Sequence, residues 1–356
     1  MSLSRLIVAL IAAAIGLILV APIFLILLPF WIVSSLTRLV TRVLEPGFLT
    51  IDQLIEFDPV FGWKPRPGLN THHLMVDLFQ LKTDENGWRG RYTLDESQTV
   101  VFGDSFAAGY GVSDNHLFAN LSLMPKIKPI GIGGYSMVQA FLWMERLAPE
   151  LRGKMVVWFI YYGNDLSDNL VPDLRGYRRP FVREDKTRGD WEIVSHHVKP
   201  EQWPIVTQGR MQGETDLPRL AQICSDTFLA QRAYGACEYL LRIGHQVCTN
   251  AGAQLVILPI PDATQLTPEG RDGLRALGGD ANSFDADLPD KRLEAVCQRL
   301  GLRFLAGASF LDVSCYKTDD CHWNEKGHRR ISEMLTRLYS EQKRQVNARQ
   351  IEEAIV

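Results

Sequence analysis

The chain has 356 residues, of which 46% are hydrophobic and 22% charged, with 28 glycines and 18 prolines. That balance excludes a disordered, collagen-like or coiled-coil chain and supplies enough apolar material for a buried core. A formal net charge of -3 argues against nucleic acid as a partner, and six cysteines are too few for a disulfide scaffold.

One segment departs from the average. From Leu6 to Val33 run 28 consecutive residues without a charged or strongly polar side chain. A spanning helix needs about 20 such residues, and a signal peptide has an apolar region of only about 7–15. Ala12-Ala13-Ala14 imitates a cleavage site, but the hydrophobicity continues well past it. The segment therefore predicts an uncleaved, single-pass membrane anchor. Beyond Trp31 the pattern becomes amphipathic, with Leu36, Val40, Val43 and Leu44 among Arg38 and Arg42. That suits either a headgroup-level segment or a helical extension, so residues 1–47 are read as anchor and juxtamembrane helix. Arg5 on one side and Arg38 and Arg42 on the other leave the orientation undecided by charge.

Residues 48–95 carry turn signals at Phe61-Gly62-Trp63, Pro65-Arg66-Pro67-Gly68 and Glu85-Asn86-Gly87-Trp88. They predict an extension of short strands and loops packed on the domain that follows. From residue 96 to 340, apolar β-branched runs alternate with helical patterns. The expected strands are Thr99–Phe102, Pro129–Ile132, Met155–Tyr161, Gln254–Pro259 and Arg303–Phe310. The expected helices include Leu117–Met124, Met137–Leu147, Gln231–Ala251 and Asp290–Leu300. Short buried strands separated by helices indicate an α/β sandwich of three layers, with a mainly parallel sheet of about five strands covered on both faces. Residues 166–220 interrupt this rhythm with a polar, Arg-rich stretch lacking sustained periodicity, which reads as a lid, a specificity insertion, a packing excursion or a surface for a partner protein. Residues 341–356 form a polar, helix-prone tail.

Four short blocks carry the residues of chemical interest. Val100-Val101-Phe102-Gly103-Asp104-Ser105 runs a strand into a turn that can present a serine hydroxyl above the sheet. Gly131-Ile132-Gly133-Gly134 and Tyr162-Gly163-Asn164-Asp165 follow further strands and offer N–H groups and a carboxamide to a developing oxyanion. Asp319-Asp320-Cys321-His322 precedes the C-terminal helix, and a histidine used as a general base needs a carboxylate on its far nitrogen. Cys315 and Cys321 beside His322 also leave metal binding open at this block.

Taken together, serine first and histidine last, the four blocks resemble the SGNH hydrolases, also called the GDSL esterase/lipase family. The resemblance implies Ser105 as nucleophile, His322 as general base and Asp319 as its orienting carboxylate, with Asp320 also within reach. It implies an oxyanion hole from the Ser105 and Gly134 N–H groups and the Asn164 side chain, with Gly131 and Gly133 competing for the Gly134 role. No metal and no cofactor is required. The third block departs from the family's Gly-x-Asn-Asp, because Gly163 directly precedes Asn164. Asp58-Pro59-Val60-Phe61-Gly62-Trp63 and Asn86-Gly87-Trp88-Arg89 look like the upstream extension of many bacterial members.

The expected activity is ester hydrolysis of acyl groups on a cell-envelope glycan or lipid, with the catalytic domain on the extracytoplasmic side. An acyltransferase, or a non-catalytic scaffold of the same fold, is the alternative. A Cys315–Cys321 bridge would stiffen the histidine loop in an oxidising compartment. Cys224, Cys237, Cys248 and Cys297 read as buried apolar residues, and His196-His197 as solvated loop.

Overall fold

The computed structural model describes residues 48–49, 51–74, 78–174, 177–195, 216–278 and 282–355. The Leu6–Val33 segment, its juxtamembrane continuation and His196-His197 lie outside these residues. Among the described residues, no helix is long and apolar enough to cross a membrane.

Residues 49–356 form one compact unit, built on a five-stranded sheet. Its strands are β1 (Thr99–Gly103), β2 (Ile127–Gly131), β3 (Met155–Tyr161), β4 (Gln254–Ile260) and β5 (Arg303–Phe304), in the spatial order β5-β4-β3-β1-β2. Every pairing is parallel, with Gly103 opposite Gly131, Phe102 opposite Trp158 and Tyr161 opposite Ile260. All residues of β1, β2 and β3 are buried, as the continuous apolar runs require of strands covered on both faces.

Alternation along the strands divides the core in two. Val100, Phe102, Val156, Trp158, Ile160 and Ile257 pack with helices α2 (Met137–Arg146), α4 (Phe228–Ala251) and α5 (Leu288–Leu300). Val101, Val157, Phe159, Val256 and Leu258 pack with Phe118 and with Ile331, Leu335 and Leu338 of α6 (Glu325–Ile355). Each such buried side chain contributes about 1.5–3 kcal/mol relative to exposure. This is the expected three-layer sandwich. The polar tail is the continuation of α6 rather than a separate element.

Two expected elements are shorter than the sequence suggests. The run from Arg303 to Phe310 pairs only at Arg303 and Phe304, then turns at Gly307–Ser309. Leu305 N–H donates to the Ile257 carbonyl, so β4 residues of that parity face β5, and the next of them, Pro259, has no N–H to extend the ladder. The helix expected over Leu117–Met124 is confined to Phe118–Leu121, ahead of Pro125.

The extension forms two hairpins, Ile55–Asp58 with Gly62–Pro65 and Asn70–Leu74 with Leu78–Lys82. It is bolted to α2 and the turn before it by a Phe61–Trp143 ring stack at 4.2 Å, by Tyr135 Oη donating to the Trp63 carbonyl at 2.8 Å and by Gln139 Nε2 donating to that of Phe61 at 2.7 Å. The insertion, over its described residues 166–174, 177–195 and 216–220, is more ordered than its composition implies. It holds a two-residue pairing of Asp173–Leu174 with Tyr177–Arg178, a hairpin of Phe181–Asp185 with Asp190–Val194, and the helix Leu217–Ile223. Tyr177, Arg179 and Val182 are buried, so the residues around them are packed against the domain.

Candidate active site

Parallel pairing brings the carboxyl ends of β1, β2 and β3 to one edge, and β1 and β3 are neighbours whose connections leave in opposite directions, to β2 and β4. Such a switch point opens a crevice above the strands. Ser105 follows β1, Gly131 to Gly134 end β2, and Asn164 follows β3.

Ser105 is half-buried at the first position of α1 (Ser105–Ala108), whose cap is Asp104. The Asp104 carboxylate accepts from Phe106 N–H at 2.9 Å, which fixes the strand-to-helix turn beneath the hydroxyl. Burial, opposed by that bond and by His322, raises the Asp104 carboxyl to about 6. Asp165, behind it, is raised well above the usual carboxylate range, first by burial and then by Asp104.

His322 reaches this serine from 217 residues further along the chain, Nε2 lying 2.7 Å from Ser105 Oγ. Its Nδ1 lies 2.7 Å from Asp320 Oδ1. With Nδ1–H donating to that carboxylate, Nε2 is left to accept the serine proton. The ring lies beside Phe106 and Tyr110, at centroid distances of 5.1 and 5.9 Å. Burial disfavours the charged ring, but Cys321 and the Asp320 carboxylate outweigh it and raise the His322 pKa well above 6.5. Asp320 is desolvated too, yet its bonds to His322 hold its carboxyl down at about 2.

Asp320, not the expected Asp319, is therefore the carboxylate on His322. Asp320 Oδ1 also lies 3.3 Å from the His322 backbone N–H, a short turn that folds the carboxylate onto the ring two residues ahead. Asp319 is exposed.

The loop is closed by its own backbone. Lys317 N–H donates to the His322 carbonyl at 3.0 Å and Asn324 N–H to that of Cys315 at 2.9 Å, while the Asn324 carboxamide holds the Ser314 and Tyr316 carbonyls. Buried Trp323 seats it against Phe106 and Phe159. The suggested Cys315–Cys321 bridge is absent and both thiols are free; the backbone pairing already supplies the stiffness. Cys224, Cys237, Cys248 and Cys297 are buried, as expected. Asp320, Cys321 and His322 place one possible metal-ligand atom each within 4.8 Å of one another. Both His322 nitrogens are already engaged, by Asp320 and Ser105.

Beyond the end of β2, Tyr135 N–H donates to the Ile132 carbonyl at 3.2 Å, closing a turn across Gly133 and Gly134. That bond leaves the Gly134 N–H outside the turn's own hydrogen bonding, and Gly134 adopts φ +78°. At Gly131 a Cβ would lie 2.7 Å from the Gly103 and Asp104 carbonyls, so that glycine serves the close approach of β2 to the serine turn. Asn164 is half-buried, and its carboxamide oxygen is buried without a hydrogen-bond partner. The direct Gly163–Asn164 step is accommodated by Asp165, which accepts from Tyr161 N–H at 2.8 Å and ties the turn back to β3. Tyr161 Oη donates to Asp262 at the end of β4, a bond that sequence inspection did not single out.

No family profile matches the chain, and no curated protein matches it in sequence. Solved structures to which it is similar include a GDSL-like lipase from Bacteroides thetaiotaomicron, at 10% identity and TM-score 0.36, covering 71% of this chain and 92% of that one. An acylhydrolase candidate from Bacteroides fragilis shows 12% identity and TM-score 0.38, with 71% and 90% covered. An arylesterase candidate from Agrobacterium tumefaciens shows 16% identity and TM-score 0.34, with 69% and 99% covered.

Proposed function

We propose that the chain is a serine ester hydrolase. The observation that carries this reading is the continuous relay from Ser105 Oγ through His322 to Asp320, with 2.7 Å at each step. His322 Nε2 takes the Ser105 proton as Oγ attacks the ester carbonyl, and Asp320 stabilises the imidazolium that results. The Ser105 and Gly134 N–H groups and the Asn164 carboxamide receive the tetrahedral oxyanion. Protonated His322 then gives its proton to the leaving alcohol. Water, deprotonated by His322, attacks the acyl-Ser105 ester and returns the serine.

The substrate reading is an O-acetyl or other acyl group on a cell-envelope glycan or lipid, reached by an enzyme anchored through Leu6–Val33 on the extracytoplasmic side. Its support is the unbroken apolar run and the polar insertion above the sheet edge. The test is hydrolysis of p-nitrophenyl acetate and longer acyl esters by the full-length chain in mild detergent, beside Ser105→Ala. Hydrolysis lost in the variant supports the nucleophile, and the chain-length profile separates an acetylesterase from a lipase. Equal rates for the two proteins refute the hydrolase. An acyl-Ser105 adduct that water does not discharge would make an acceptor hydroxyl the second substrate. Retention of the full chain in carbonate-washed membranes tests the anchor, and release into the wash refutes it.

A further inference from the structure

Arg179, from the insertion, is completely buried. Its guanidinium makes four contacts. Nη1 donates to the Gly134 carbonyl at 3.0 Å and to Asp168 Oδ2 at 3.1 Å, Nη2 donates to the Asp168 carbonyl at 3.2 Å, and Nε to that of Val171 at 3.2 Å. Asp168 closes the short helix α3 (Asp165–Asp168), and its N–H donates to the Asn164 carbonyl at 2.8 Å. One planar cation thus joins the turn that carries the Gly134 N–H to the helix that Asn164 caps. The insertion clamps the same glycine a second time, because a Cβ at Gly134 would lie 2.4 Å from Leu174 Cδ2.

We propose that Arg179 is the positioning residue of the oxyanion hole, bracing its Gly134 and Asn164 donors against each other. The proposal rests on the hydrolase reading and assigns the insertion a part in it. Burying a guanidinium is costly, and a buried ion pair is often no more stabilising than an apolar residue of similar volume. Stability alone therefore gives little reason for an arginine here. Geometry gives one: the fork reaches acceptors on two separate loops at fixed angles, which neither an apolar residue nor the single ammonium of lysine can do. Oxyanion donors work only when held at the site of developing charge, and a displacement of about 1 Å can cost roughly 100-fold in rate.

The test compares full-length wild type, Arg179→Lys and Asp168→Asn, the last keeping side-chain volume if the lysine variant fails to fold. Three quantities are read: kcat and KM for p-nitrophenyl acetate, inhibition by a boronic acid that mimics the tetrahedral intermediate, and the Gly134 amide resonance in glycine-labelled protein. The expected result is a kcat lower by about 10- to 100-fold with KM little changed, and boronate affinity weakened in step. The Gly134 amide should shift. A role in stability alone would lower the melting temperature and leave kcat in place, and that result overturns the proposal. An unmoved Gly134 resonance in folded Arg179→Lys overturns it whether or not the hydrolase reading holds. Wild-type hydrolysis that does not depend on Ser105 would instead overturn the hydrolase reading.

Discussion

Replacing Asp320 with asparagine, beside the same change at Asp319, separates two adjacent carboxylates by their geometry. Asp320 Oδ1 sits 2.7 Å from His322 Nδ1, and both side chains are only 11% exposed. The substitution keeps the shape and removes the charge that faces the imidazolium. A pair of unit charges about 4 Å apart at an effective dielectric near 20 interacts by about 4 kcal/mol, or roughly three decades in rate. An asparagine whose Nδ2 donates to Nδ1 also forces the ring proton onto Nε2, where it blocks transfer from Ser105. Loss of the correct tautomer in such a triad costs about 10⁴-fold in kcat. Asp320→Asn should therefore lose about 10³- to 10⁴-fold in kcat/KM. Asp319→Asn, on the exposed side of the loop, should stay within about twofold, because a solvent-exposed charge acts on its neighbours by only about 0.5 kcal/mol. The assay is p-nitrophenyl acetate hydrolysis by full-length protein, with circular dichroism confirming that both variants fold. A large loss in Asp319→Asn with Asp320→Asn near wild type would reverse the assignment. Equal losses in both would show that the loop, not one carboxylate, orients the ring.

Three further outcomes follow from the same geometry. Only neutral His322 can accept the serine proton, so kcat/KM rises with pH through its pKa; that pKa is raised above 6.5, so half-maximal activity should fall above pH 6.5, and a midpoint at or below it would refute the environment described. Asn164→Ala should lower kcat by about 100- to 1000-fold, the usual loss for one oxyanion donor, with KM little changed; a rise in KM alone would move Asn164 to substrate binding. All six cysteines are free, so thiol titration of the denatured, unreduced chain should find six; two fewer, with Cys315 and Cys321 linked in a peptide map, would restore the loop disulfide.

The sheet was legible because strands buried on both faces leave long apolar runs, and the serine, glycine, asparagine and histidine blocks each follow such a run or precede a clear helix. The bounds were less legible wherever one residue's hydrogen-bonding duty decides them. Pro259 ends the β4–β5 ladder only because its parity faces β5, and parity depends on which strands are neighbours. The choice between Asp319 and Asp320 had the same character. Spacing allows either to reach the ring, and the backbone bond from His322 N–H to Asp320 Oδ1 decides it.

Arg179 was hidden for a different reason. A polar, arginine-rich stretch reads as solvated surface when each residue is weighed by type, since arginine is rarely buried without partners. Its partners here are Asp168 and backbone carbonyls on loops after two different strands, and backbone acceptors leave no mark in a sequence. The same holds for Lys128, an isolated charge in the middle of β2 that would argue against a buried strand. It is 1% exposed, with Asp84 at 2.7 Å and the Arg89 carbonyl at 3.1 Å. In both cases the cation fastens a peripheral segment, the insertion or the N-terminal extension, to a strand or turn leading into the site. These outlying segments therefore brace the edge that carries Ser105 and His322, and truncating either should reduce p-nitrophenyl acetate hydrolysis before circular dichroism shows loss of the sheet.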